Sequence, residues 1–155
     1  MLTSIIFYAR WFVLPQFTCP GFATFVSILP MFISAGYYLS FFFIISHNFV
    51  GVQIIDNTKD EFKNMSFLRK QVTTSSNVGG SWLCFMNGGL NYQIEHHLFP
   101  RIQHSHYPKI APIVKDFCKS KGITYVHFPT ISENISSCVK HLAYLGQEKS
   151  VAKRD

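Results

Sequence analysis

Between Arg10 and Asp56 the chain has no Asp, Glu, Lys or Arg, a gap of 45 residues. A soluble protein of 155 residues has no core deep enough to hide such a run, whereas a bilayer does. Charge is scarce overall, at 14% where about 25% is usual. Cysteine is sparse too. Cys19, Cys84, Cys118 and Cys138 show no C-x-x-C spacing, which argues against a zinc knot or a disulfide framework and suits a reducing compartment. A basic n-region before the first apolar stretch is missing, as is an evident small-residue cleavage site, so the start does not read as a signal peptide. Nor is there a Lys/Arg cluster. The net charge of +6 is dispersed among acids, which argues against nucleic acid and fits a surface beside anionic headgroups.

What is present is apolar and aromatic: 16 Phe and a 48% hydrophobic share. Phe22 to Ser46 is a 25-residue uncharged run. As a helix it would reach about 37 Å, against a hydrocarbon core of about 30 Å, with a kink expected at Pro30. Met1 to Leu14 is apolar apart from Arg10, and Pro15, Pro20 and Gly21 are expected to break it. Fourteen residues give only about 21 Å of helix, too short to span. The expectation is a transmembrane hairpin over 1–50 whose first arm is truncated, in a chain that begins partway into a longer protein. The alternative is a re-entrant or interfacial arm. From Asp56 onward lie 13 of the 14 Lys/Arg residues and all eight acids, which the positive-inside rule assigns to the cytosol.

The polar half, 51–146, is expected to be irregular over Asp56–Gly80 with a short helical stretch at Asp60–Lys70. It turns apolar over Ser81–Leu98, with a break at Gly88-Gly89. Tyr107–Lys121 reads as a helix, with Pro108 in its first turn, an apolar stripe of Ile110, Ile113, Val114 and Phe117, and Gly122 ending it. A short strand is expected at Ile123–Phe128. A final amphipathic helix follows over Ile131–Leu145, opened by a Thr130/Glu133 capping box and closed by Gly146, with a disordered tail over 147–155.

One stretch carries chemistry: Gln93-Ile94-Glu95-His96-His97-Leu98-Phe99-Pro100. On a helix, Gln93, His96 and His97 occupy i, i+3 and i+4 and share a face. Adjacent imidazoles point about 100° apart, which suits two metals better than one. Neutral imidazole ligates iron, zinc or copper, and spacing does not choose among them. Most adjacent histidine pairs bind nothing. Two features favour a site here: the preceding Gly-Gly segment, and His47 at the end of the uncharged run, where ionisable groups are usually functional.

This octapeptide resembles the third histidine box, Q-x-x-H-H, of front-end fatty acid desaturases. Asn91-Tyr92 before it and His106-Tyr107-Pro108-Lys109-Ile110-Ala111-Pro112 after it match as well, and His47-Asn48 is similar to the family's extra histidine at the end of the last membrane helix. The resemblance implies an all-α membrane protein, a partial desaturase fold of a transmembrane hairpin and a cytosolic helical metal-binding cap. It makes His96, His97 and His47 iron ligands, and Gln93 a ligand or an orienting group. Glu95, on another face, is expected to hold the helix; His104, His106, His127 and His141 carry no assigned chemistry.

Two irons, O2 and electrons from NADH through cytochrome b5 are implied. So are a polyunsaturated acyl substrate on CoA or phospholipid and an endoplasmic reticulum membrane with the C-terminus cytosolic. Trp82 and Phe85 are expected to line the acyl tunnel. The family's earlier boxes, H-x-x-x-H and H-x-x-H-H, and its H-P-G-G motif are absent from this sequence, so the isolated chain is expected to be inactive. A sphingolipid-base desaturase, a related di-iron hydroxylase and an inactive membrane-anchored remnant are the alternatives.

Overall fold

The computed structural model describes residues 2–18, 21–55 and 58–151. The chain divides into two units, Met1–Phe41 and Phe42–Asp155. Described residues are mostly helical, as the all-α expectation has it, with one short strand pair in addition.

In the first unit, α1 (Leu2–Tyr8) runs into a π-helical turn, Ala9–Val13, closed by Leu14 N–H donating to Ala9 O at 2.8 Å. Pro15 does not break this arm. Leu14 keeps right-handed helical angles, and Pro15 opens α2 (Pro15–Thr18), where its missing N–H costs nothing in a first turn. Pro20, the next expected breaker, lies outside the described residues. Helix α3 (Phe22–His47) passes through Pro30, and Ser34 Oγ donates to the Pro30 carbonyl at 2.7 Å. It is long and apolar enough to cross a membrane, and only 17% of its most apolar window is buried inside the protein. Phe12 and Phe32 pack with ring centroids 6.3 Å apart.

The second unit has a closed core. Val72 from α5 (Phe67–Thr73), Ile94 from α7 (Gln93–Leu98), and Val114 and Cys118 from α8 (Tyr107–Ser120) meet Ile123. A second cluster joins Phe42 and Ile45, in the last turns of α3, to Val78 of β1 (Asn77–Val78) and Cys138 of α9 (Ile131–Val151). A third sets Cys84 of α6 (Ser81–Asn87) against Tyr92, Tyr107 and Ala111. Each cluster draws on segments far apart in sequence, and α7 with its flank runs through two of them.

Several boundaries differ from expectation. The Asp60–Lys70 stretch is two helices, α4 (Asp60–Lys63) and α5; Ser66 caps the second by accepting from Arg69 N–H. The strand expected over Ile123–Phe128 shrinks to β2 (His127–Phe128), paired parallel with β1 in the register Asn77 to His127 and Val78 to Phe128. Helix α9 does not stop at Gly146. It continues to Val151, because nothing around Gly146 imposes a left-handed turn, so 147–151 are helical where a disordered tail was expected. Residues 152–155 lie outside the described ones. Thr130 Oγ1 does accept from Glu133 N–H at 3.3 Å, as a cap should.

The break at Gly88-Gly89 is real. Gly88 ends α6 at φ +64°, and a Cβ on Gly89, at φ +87°, would come within 2.5 Å of His104 Cβ. Only glycine lets the chain double back there from α6 into α7.

Candidate metal centre

The last turn of α3 is held by residues distant in sequence. A helix leaves its final carbonyls without intrahelical donors. Here Asn48 N–H and Nδ2 cap Ile44 O, each at 3.0 Å, Asn134 Nδ2 donates to Ile45 O at 2.9 Å, and Ser76 N–H donates to Ser46 O at 2.9 Å. His47 therefore stands on a fixed stub. Its Nδ1 lies 2.9 Å from Thr74 O, an acceptor only, so that nitrogen carries a hydrogen, and in the neutral ring the lone pair is on Nε2.

Helix α7 is fixed from its other side. Asn77 Oδ1 accepts from Ile94 N–H at 3.0 Å, replacing the N-cap that Tyr92 does not provide. Glu95 is fully buried and accepts from Asn77 Nδ2 at 2.6 Å and Tyr125 OH at 2.8 Å, while Asn77 Nδ2 also donates to Tyr125 OH at 2.7 Å. Burial pushes the Glu95 carboxyl above its ordinary value despite these donors, and burial beside Glu95 pushes the Tyr125 phenol up as well. The expectation that Glu95 holds the helix fits these bonds.

On the opposite face, three sequence-predicted residues come together. The Gln93 side-chain nitrogen lies 2.9 Å from His97 Nε2 and 3.3 Å from His47 Nε2, and the two imidazoles have centroids 5.1 Å apart. His97 Nδ1 lies 2.8 Å from Gln71 Oε1. Burial, and then the nearby His47 and His96, lower the His97 pKa to about 4, so the ring is neutral at pH 7. His96 stands apart: it is exposed, its ring 5.9 Å from that of His97 and edge-on to Tyr107 at 6.5 Å.

Trp82 and Phe85 stack on each other, with centroids 6.0 Å apart, but are 74% and 76% exposed, so in this chain they do not form an enclosed tunnel wall. Gln71 and Thr74 were not legible as site residues; they sit in an ordinary polar stretch more than 20 residues from the histidine pair.

Among the described residues no group of three or more His, Cys, Asp or Glu is arranged to hold a metal ion. The donor set still suits one. Two Nε2 atoms converge on one amide, and each ring's second nitrogen is anchored to an oxygen acceptor, the arrangement metal-ligating histidines adopt.

The family model described as fatty acid desaturase matches residues 1–129. The chain is 45% identical over 150 residues to an acyl-lipid (7-3)-desaturase of Rebecca salina, covering 95% of this chain and 34% of that protein. It is 44% identical over 147 residues to an acyl-lipid (7-3)-desaturase of Diacronema lutheri, covering 95% and 33%. A Delta(5) fatty acid desaturase A of Dictyostelium discoideum is 42% identical over 86 residues, covering 54% and 18%. No solved structure matches. The chain belongs to the fatty acid desaturase family, and these relatives place it among the front-end, acyl-lipid members. It spans about a third of the length of the first two relatives. The family is membrane-associated and α3 is the candidate span.

Proposed function

We propose that this chain supplies part of the di-iron centre of a membrane desaturase that introduces a double bond into a polyunsaturated acyl chain. The observation that carries the reading is the convergence of His47 Nε2, His97 Nε2 and the Gln93 amide. The resemblance to acyl-lipid (7-3)-desaturases supports the substrate class.

In this reading His47, His97 and Gln93 serve one iron and the outward-turned His96 the other. When bound, the metal pair supplies the O2-dependent redox chemistry that removing hydrogen from an unactivated methylene demands; electrons arrive from NADH through cytochrome b5. The chain's own residues present and orient. Thr74 O and Gln71 Oε1 hold the ring nitrogens that do not ligate, the lowered pKa keeps His97 unprotonated, and the Glu95 network holds α7 still. Trp82 and Phe85 offer an aromatic surface to the acyl chain, on CoA or phospholipid.

Residues 1–50 form a transmembrane hairpin in the endoplasmic reticulum membrane, and residues 51–146 form the cytosolic metal-binding part. Two or three imidazoles and an amide are fewer donors than two irons require, which favours an inactive isolated chain.

Expression of the chain in yeast membranes, with iron per polypeptide and the fatty acid profile measured together, tests this. The expected result is substoichiometric iron that falls further in His97→Ala, and no new fatty acid. In a complete enzyme carrying this segment, His97→Ala should abolish desaturation; retained product would overturn the assignment.

A further inference from the structure

Gln71 stands beside the His97 ring. It lies on α5, whose Val72 is fully buried against Ile94 of α7, so core packing fixes α5 against the helix that carries the histidine pair. From that position Gln71 Oε1 reaches His97 Nδ1 at 2.8 Å. The other polar neighbour of Nδ1 is Ser75 Oγ at 3.5 Å, and the Ser75 hydroxyl spends its proton on Gln71 O at 2.8 Å. Both neighbours of Nδ1 are therefore acceptors, and Nδ1 carries the hydrogen.

The same segment supplies Thr74 O to His47 Nδ1. The Gln93 amide then has two hydrogens for two lone pairs, at 2.9 and 3.3 Å. Reversing the Gln71 amide would break this pattern: a nitrogen facing Nδ1 would move the hydrogen to Nε2 and set it against Gln93.

We propose that Gln71 is a positioning residue that selects the Nδ1–H tautomer of His97 and so leaves Nε2 free to ligate. The inference rests on the metal reading above only for its consequence; the tautomer itself is a property of the metal-free chain.

Two-bond nitrogen–proton correlation spectra of the 15N-labelled full chain in detergent report which ring nitrogen is protonated. Wild type is expected to show His97 protonated at Nδ1. Gln71→Leu should lose that preference and Gln71→Glu, which keeps an acceptor, should retain it, with His127 signals unchanged in both as a control on folding. Anaerobic Fe(II) titration of Gln71→Leu should show affinity weakened about 10-fold or more.

An Nε2–H ring in wild type, or a Gln71→Leu spectrum identical to wild type, overturns the proposal. Because the wild-type spectrum needs no variant, a misfolded Gln71→Leu does not rescue it. If wild type takes up no Fe(II), the metal reading fails by itself, and the tautomer still decides the role of Gln71.

Discussion

The two faces of α7 hold polar groups of opposite kinds. On one face, Glu95 is fully buried and its oxygens accept from Asn77 and Tyr125, groups brought in by β1 and the segment before β2. On the other, the Nε2 atoms of His47 and His97 meet only the end of a side-chain amide. Both faces satisfy their hydrogen bonds, but they are not equally replaceable. A carboxylate locked by two donors fastens the fold, whereas lone pairs covered by one rotatable amide are open to exchange for an outside electrophile.

The sharpest way to separate the faces is Glu95→Leu. It leaves the Tyr125 hydroxyl without its acceptor and Asn77 Nδ2 with Tyr125 OH alone, and an unsatisfied group costs about 1–3 kcal/mol, so a loss of about 2 kcal/mol or more is expected in detergent unfolding. A near-neutral result would put Glu95 among the dispensable groups.

Acidification should separate them next, because the two shifts have opposite signs. His97 is depressed to about 4 in the fold, so its contribution is complete above the ordinary histidine value of about 6.5 and is lost as pH falls from there toward 4. Glu95 is raised, so the fold favours its protonated form and that contribution is lost as pH rises above the ordinary carboxylate value. Unfolding of the metal-free chain between pH 7 and 4 should lose less stability in His97→Gln than in wild type, and more in Glu95→Gln. Parallel profiles in all three would contradict the assignment.

The smallest expected effect is Trp82→Ala. This exposed side chain should change stability by no more than about 0.5 kcal/mol, while in a complete enzyme the product profile or turnover should move. An unchanged product profile would remove Trp82 from the acyl surface.

Much of the fold was readable from sequence, for physical reasons that differ by element. The box announces itself because Gln93, His96 and His97 fall within one helical turn, and α3 because a 45-residue uncharged gap is longer than a small soluble core can bury. Helix α8 and the Thr130 cap follow from periodicity and local hydrogen bonding. What escaped is what depends on distance. The β1–β2 pair joins residues 50 apart in parallel, which leaves no local turn to read. Gln71 reaches His97 only because Val72 packs on Ile94, a tertiary fact with no counterpart in spacing. Gly146 misled for the converse reason: glycine permits a helix end without requiring one.

Helix α9 begins two residues beyond the stretch that matches the family model, yet Asn134 caps Ile45 O and Ser137 Oγ accepts from Val50 N–H, on either side of His47. A splice form or engineered truncation ending near residue 129 would thus keep the whole histidine inventory of the site on paper. It would lose the clasp that gives His47 its place, so the minimal unit worth expressing extends through Ser137.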